Sequence, residues 1–206
     1  MAINHVFFDI GGVLGTNGWD REQRAQAVEH FGLDARDFQF RHEETVGALE
    51  EGRLSLEEYL DITVFHSSRA FSRDDFVRFI CAQSKPYPDT IRIARALCDS
   101  GLYWMYTLNN ECDALNRYRI DTFGIREVFD AFLSSCWLGV RKPMSKFYDH
   151  ALGISQCIPE VSVFIDDREQ NLGPARRLGM NTIMYESADQ LQADLTKLGV
   201  TTTKRG

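Results

Sequence analysis

Long apolar runs, paired cysteines and a surplus of basic residues are all missing from this 206-residue chain. No stretch approaches the roughly 18 apolar residues of a membrane-spanning helix. The first apolar run meets Asp9 too early to be the core of a secretory leader. Cys81, Cys98, Cys112, Cys136 and Cys157 are odd in number, widely spaced and without a C-x-x-C pair, which argues against a disulfide framework or a zinc site. Free thiols in a reducing, cytoplasmic compartment are the expectation. Lys and Arg number 23 against 30 Asp and Glu, a formal net charge of −7. Neither nucleic acid nor an anionic membrane surface is an expected partner. A small phosphate-bearing ligand remains open, because it responds to local charge. There is no repeat or low-complexity segment, and only residues 201–206 read as a loose tail. Hydrophobic residues make up 44%, enough for one sizeable domain or one domain carrying an insertion.

Residues 4–8 read as a short buried strand ending at Asp9 and then Gly11-Gly12. A loop follows, with Gly15, Asn17 and Gly18 as breakers. Residues 21–83 are charged and helical in pattern. Residues 21–31 run into Gly32, a natural stop. Residues 34–51 specify one or two helices ended by Gly52. Ser55-Leu56-Glu57-Glu58 resembles a capping box, and Ser72-Arg73-Asp74-Asp75 opens another capped helix. After Pro86 and Pro88 the pattern alternates. Strands are expected at 102–108, 131–134, 161–165 and 181–185, and helices at 90–100, 114–123, 145–152, 169–178 and 188–198. Gly101, Gly153 and Gly179 stand as helix stops. Alternation of this kind specifies an α/β fold with a Rossmann-like parallel sheet covered on both faces. The expected division is a core of residues 1–17 and 86–206 and a helical insertion of residues 18–85.

In open α/β sheets, ligands bind beyond the carboxyl ends of the strands. There this sequence places Asp9, Asn109-Asn110 and Asp166-Asp167, with Lys142-Pro143 in the loop after the strand at 131–134. Asp9 is a carboxylate that could attack an electrophile. Gly11 and Gly12 offer backbone N–H groups to phosphate oxygens. Asp166 or Asp167, with Asp9, would bind a hard cation such as Mg²⁺. That cation and Lys142 would keep three neighbouring carboxylates ionised. Such a site stabilises a transferring phosphoryl group. Each part alone has a plainer reading: a turn at Gly11-Gly12 or Asn109-Asn110, a helix cap at Asp166-Asp167-Arg168. Their shared sheet edge is what joins them.

The chain resembles the haloacid dehalogenase-like hydrolase superfamily, in the branch with a helical cap inserted after the first strand. Phe8-Asp9-Ile10-Gly11-Gly12-Val13, Leu108-Asn109-Asn110, Lys142-Pro143 and Phe164-Ile165-Asp166-Asp167-Arg168-Glu169-Gln170-Asn171 match its four motifs in order. The resemblance implies Asp9 as nucleophile and Asp167 as a ligand of Mg²⁺, with Asp9 and the Gly11 carbonyl. Asp166 would be a further ligand or, like Asn171, a support behind the ligands. Asn109, Asn110 and Lys142 would hold phosphate oxygens. Two positions depart from the pattern. Phosphatases of the family carry a proton-donating Asp where this chain has Gly11, and a Ser or Thr where it has Asn109. The D-x-G start is shared with a subgroup that includes glucose-1-phosphate phosphatases. The expectation is a Mg²⁺-dependent phosphomonoesterase acting on a small metabolite, as a monomer or homodimer. The alternatives are a 2-haloacid dehalogenase-type hydrolase and a non-catalytic regulatory domain. Asp20 and His42 are candidate proton donors, and Trp19, Phe40 and His42 candidate lining residues of the cap.

Overall fold

The computed structural model describes residues 2–202. Five parallel strands form one sheet in the order β3-β2-β1-β4-β5: β1 (His5–Phe8), β2 (Trp104–Asn109), β3 (Ala131–Ser134), β4 (Ser162–Asp166) and β5 (Asn181–Met184). β1 is central and wholly buried, and its alternate side chains enter opposite cores. Val6 and Phe8 pack with Ile91, Ala94 and Leu97 of α5 (Pro88–Ser100) and Leu191 and Leu195 of α10 (Ala188–Lys197). Phe7 packs on the other face with Phe147, Tyr148 and Ala151 of α8 (Ser145–Ser155) and Leu172 and Ala175 of α9 (Glu169–Arg177). Each such buried side chain contributes about 1.5–3 kcal/mol. The register pairs Phe8 with Thr107 on one side and Ile165 on the other. One residue further on, Asp9 therefore stands beside Asp166, at the carboxyl edge of the sheet.

Between β1 and α5 lie α1 (Arg21–Phe31), α2 (Ala35–Glu50), α3 (Leu56–Thr63) and α4 (Arg73–Ala82). Both expected capping boxes are present, at Ser55 with Glu58 and at Ser72 with Asp75. The four helices share a third core that includes Phe38, Tyr59, Leu60, Phe76 and Ile80. It continues into Cys112 and Leu115, at the start of α6 (Asp113–Thr122). The helical layer thus rests on the loop that follows β2.

Some local expectations change. Of the one or two helices expected over residues 34–51 there is one, Ala35–Glu50, with Gly47 in its interior. Gly153 does not stop α8, which runs on to Ser155 and ends at Gln156 with φ 53°. A short α7 (Ser135–Leu138) follows β3 directly. Of the expected loose tail, Thr201 is tied at both backbone groups: its N–H donates to the Tyr103 hydroxyl oxygen at 2.8 Å, and the Tyr103 O–H donates to its carbonyl at 2.9 Å. Residues 203–206 of that tail lie outside the described residues.

Candidate active site

Asp9 leaves β1 as a buried residue, 7% exposed. Its Oδ1 accepts the Ile10 N–H at 2.8 Å. Its Oδ2 lies 3.0 Å from Lys142 Nζ, which also donates to Asp166 Oδ2 at 2.6 Å. Asp166 is fully buried and saturated, since Asn171 Nδ2 and the Arg168 N–H occupy its remaining acceptor sites. Asp167 differs. Its Oδ1 is buried without a hydrogen-bond donor, and Arg168 Nε stands 3.9 Å away. One carboxylate oxygen from each of Asp9, Asp166 and Asp167 lies within 4.8 Å of the other two.

The electrostatics follow from this crowding. Burial pushes the Asp9 carboxyl up to about 8; Asp166 and Asp167 add to the rise and Lys142 opposes it. Burial also raises Asp167, again with Asp166 adding. Burial alone would depress the Lys142 ammonium, but Asp166 and Asp9 outweigh it and hold the group above its ordinary value. A small oxygen-seeking dication suits this cluster, in which Asp167 keeps an orphaned oxygen. Asp166, already bound to Lys142 and Asn171, instead fixes the lysine. The reading of Asp166 as a further metal ligand is weaker for that reason.

The loops refine other readings. Asn110 Nδ2 donates to the Lys142 carbonyl at 3.0 Å, and the Lys142 N–H donates to Asn110 Oδ1 at 2.9 Å. The Asn110 side chain is thus engaged in clamping the Lys142 loop to β2, rather than free for a phosphate oxygen. Asn109 is 1% exposed, and its Nδ2 donates to Asn116 Oδ1 at 3.0 Å. The Gly12 N–H, expected to face phosphate, donates to the Gly15 carbonyl at 2.7 Å. What Gly12 does supply is space. Its φ is +78°, and a Cβ there would meet Asp167 Oδ2 at 2.1 Å. Gly12→Ala is expected to push Asp167 aside and cost about 2 kcal/mol, a fall in Tm of about 4–8 °C for a chain of this size. A thermal melt measures this; an unchanged Tm would mean that the packing tolerates the methyl group.

Above the cluster lies a cavity of about 340 Å³. Asp9, Gly11, Asn110, Glu111 and Lys142 line it from the sheet side, and Arg24, His42 and Glu50 from α1 and α2. Trp19 lines it too, whereas Phe40 is 63% exposed and points away. Trp19 Nε1–H donates to the Tyr59 oxygen at 3.1 Å, which leaves the Tyr59 O–H free for His42 Nδ1 at 2.9 Å. Burial, with Arg24 nearby, lowers His42 to about 4, so its ring is neutral. Burial pushes Asp20 up, but the Arg21 N–H and Arg168 outweigh it and hold the carboxyl below its ordinary range. Arg168 contacts it at 2.5 Å.

Two lining residues carry no motif signal of their own, Glu111 and Arg119. Arg119 is 2% exposed, and its Nη2 donates to the Asn17 carbonyl at 2.8 Å and faces Glu111 Oε2 at 3.4 Å. A Cβ placed on Gly11 would lie 3.1 Å from Asn17 Oδ1 and 3.5 Å from Arg119 Nη1. A side chain at residue 11 would thus have Asn17 and Arg119 as its immediate neighbours.

The sheet, the four ordered segments and the acid–lysine cluster point to one family. A model of the haloacid dehalogenase-like hydrolases matches residues 3–179. This chain belongs to that family of hydrolases. It is 24% identical over 214 residues to the D-ribitol-5-phosphate phosphatase of Bacteroides thetaiotaomicron, covering 94% of this chain and 97% of that protein. It is 27% identical over 221 residues to bifunctional epoxide hydrolase 2 of Mus musculus, where the match covers 96% of this chain but only 39% of the relative. The crystal structure of a HAD family enzyme from Bacteroides thetaiotaomicron superposes with a TM-score of 0.79 at 19% identity, covering 90% of this chain and 95% of that one. A structure of the same enzyme in complex with magnesium and inorganic phosphate gives a TM-score of 0.73 at 21% identity. At such identities the likeness is one of fold. Among the described residues, no helix is long and apolar enough to cross a membrane.

Proposed function

We propose that this hydrolase is a Mg²⁺-dependent phosphomonoesterase of a small metabolite, working through an aspartyl-phosphate on Asp9. The observation that carries the reading is the cluster of Asp9, Asp166 and Asp167, in which Asp167 keeps a buried oxygen without a donor that a cation would satisfy. Asp9, the Gly11 carbonyl and Asp167 would hold Mg²⁺, which when bound neutralises charge on the phosphoryl oxygens. The Lys142 ammonium, held by Asp166 on a loop that Asn110 clamps, favours the ionised form of Asp9, which the bound cation would complete, and offers its third N–H to a phosphoryl oxygen. Asp9 then attacks phosphorus in line, and water later releases phosphate. The phosphatase and the magnesium–phosphate complex among the similar proteins support the same chemistry. Residues 18–85 act as a lid in this reading: Arg24 and His42 face the substrate and exclude water. A cavity of about 340 Å³ suits a metabolite rather than a polymer.

A dehalogenase-type reaction is the second reading, favoured by Gly11, since halide leaves without a proton. It gives no use to the Asp167 oxygen. Beryllium fluoride mimics a phosphoryl group on a carboxylate, and with Mg²⁺ it is expected to bind at Asp9. Isothermal titration should give one site per chain, lost in Asp9→Asn. Absence of binding would sink the aspartyl-phosphate. Turnover of sugar phosphates, nucleotides and 2-haloacids, measured side by side, decides between the two reactions.

A further inference from the structure

Cleavage of an alkyl phosphate leaves an alkoxide unless a proton is supplied, so the cavity needs a donor near the leaving oxygen. Lys142 is committed between Asp9 and Asp166. Asp20 is paired with Arg168 at 2.5 Å, and Glu50 with Arg141 at 2.6 Å. His42 is a neutral ring whose Nδ1 is engaged by Tyr59. Glu111 is the remaining carboxyl lining the cavity. We propose that Glu111 protonates the leaving oxygen and then activates the hydrolytic water, with Arg119 as its positioning residue.

Geometry supports the assignment. Glu111 follows Asn109-Asn110 directly at the carboxyl end of β2, the strand next to the one that carries Asp9. Its backbone is fixed, the N–H donating to Ser135 Oγ at 3.1 Å. The residue is 8% exposed. Oε1 accepts the Cys112 N–H at 3.0 Å, while Oε2 meets Arg119 Nη2 only at 3.4 Å. That looser oxygen is the one able to carry a proton. Arg119 reaches the space beside Gly11 with its other terminal nitrogen, so Glu111 stands one guanidinium away from Gly11. The Asn17-Gly18 turn wraps this arginine: a Cβ on Gly18 would meet Nη2 at 1.5 Å. Burial pushes the Glu111 carboxyl up and Glu50 adds to the rise, against Arg119 and the Cys112 N–H.

The assignment rests on the phosphomonoesterase reading. In the first step an Asp9 oxygen bonds to phosphorus, the bond from phosphorus to the leaving oxygen breaks, and that oxygen takes the Glu111 proton. In the second, water bonds to phosphorus and gives its proton to Glu111. The bond from phosphorus to Asp9 breaks, which releases inorganic phosphate and restores both carboxyls.

The test compares leaving groups on the Mg²⁺-loaded enzyme. p-Nitrophenolate leaves readily without a proton; an alkoxide does not. Glu111→Gln has the same shape and keeps an acceptor for the Cys112 N–H; its amide nitrogen then faces Arg119, so a thermal melt on the same preparation checks the fold. The variant's rate of leaving-group release should fall about 10²–10³-fold more for an alkyl phosphate than for p-nitrophenyl phosphate. A burst of p-nitrophenol should precede slow steady-state turnover. Equal losses on both substrates, or no loss on either, would overturn the assignment while leaving the phosphomonoesterase reading in place. A wild type that turns over no phosphate ester would overturn that reading and this assignment with it. The wild type gives a check that needs no variant: kcat/KM across aryl and alkyl phosphates should depend only weakly on leaving-group pKa. A steep dependence would mean that no group donates the proton.

Discussion

Asp9→Asn is expected to reduce Mg²⁺-supported turnover of p-nitrophenyl phosphate by about 10⁴-fold or more, about 5 kcal/mol of transition-state stabilisation. The amide has the shape of the carboxylate but lacks its charge and nucleophilicity. The fold should hold. Asn keeps an acceptor for the Ile10 N–H, now at 2.8 Å, and Lys142 keeps Asp166 at 2.6 Å. The variant also removes one of three crowded carboxylates, so the metal-free protein should be no less stable than the wild type. Activity and a thermal melt on the same preparation separate the two effects. Near-wild-type turnover would sink the nucleophile assignment, whereas a collapsed Tm would make Asp9 a structural residue.

Why Asp9 was readable from sequence, and Arg119 was not, is a matter of local pattern. Val6, Phe7 and Phe8 announce a strand buried on both faces; a carboxylate directly after it is by itself more often a turn or cap residue, and the shared sheet edge with Asn109-Asn110, Lys142 and Asp166-Asp167 is what marks Asp9 out. The parallel register that brings Asp166 beside Asp9 follows from the βαβ alternation. Arg119 sits in Asn116-Arg117-Tyr118-Arg119, where nothing in composition separates it from the exposed Arg117. The available signal was periodicity. Leu115, Asn116, Arg119 and Ile120 are the buried positions of α6, spaced i, i+1, i+4 and i+5, the inner face of a helix. Phe40 failed by the same geometry. Two residues from buried Phe38, it is turned by about 200° around α2 and meets solvent. Gly153 misled because a glycine with open space around it is tolerated inside a helix that tertiary packing holds. The Asn110 clamp and the orphaned oxygen of Asp167 are contacts between loops far apart in sequence, and no local pattern encodes them.

Mg²⁺ is expected to stabilise this protein as well as activate it, and the gain should grow with pH. Binding to the folded state alone contributes about 2.7 kcal/mol at 100 times Kd, a rise in Tm of about 5–11 °C at this size. Asp167→Asn should lose most of that gain at the same Mg²⁺ concentration, since it removes the carboxylate with an unmet acceptor. The sign with pH follows from Asp9. Burial places its folded pKa at about 8, above the roughly 3.9 of an unfolded chain. Between those values the folded metal-free protein binds more protons than the unfolded one. The contribution of Asp9 to metal-free stability is full below about pH 4 and lost as pH rises towards 8. Mg²⁺ needs the ionised carboxylates, so it displaces those protons and binds more tightly across the same interval. Calorimetric melts at pH 6, 7 and 8, each with Mg²⁺ and with chelator, should show the difference in Tm widening with pH. The chelated samples should also be inactive. A difference that is flat with pH, or unchanged in Asp167→Asn, would place the metal elsewhere; full turnover under chelation would remove it from the reaction and return the site to halide chemistry.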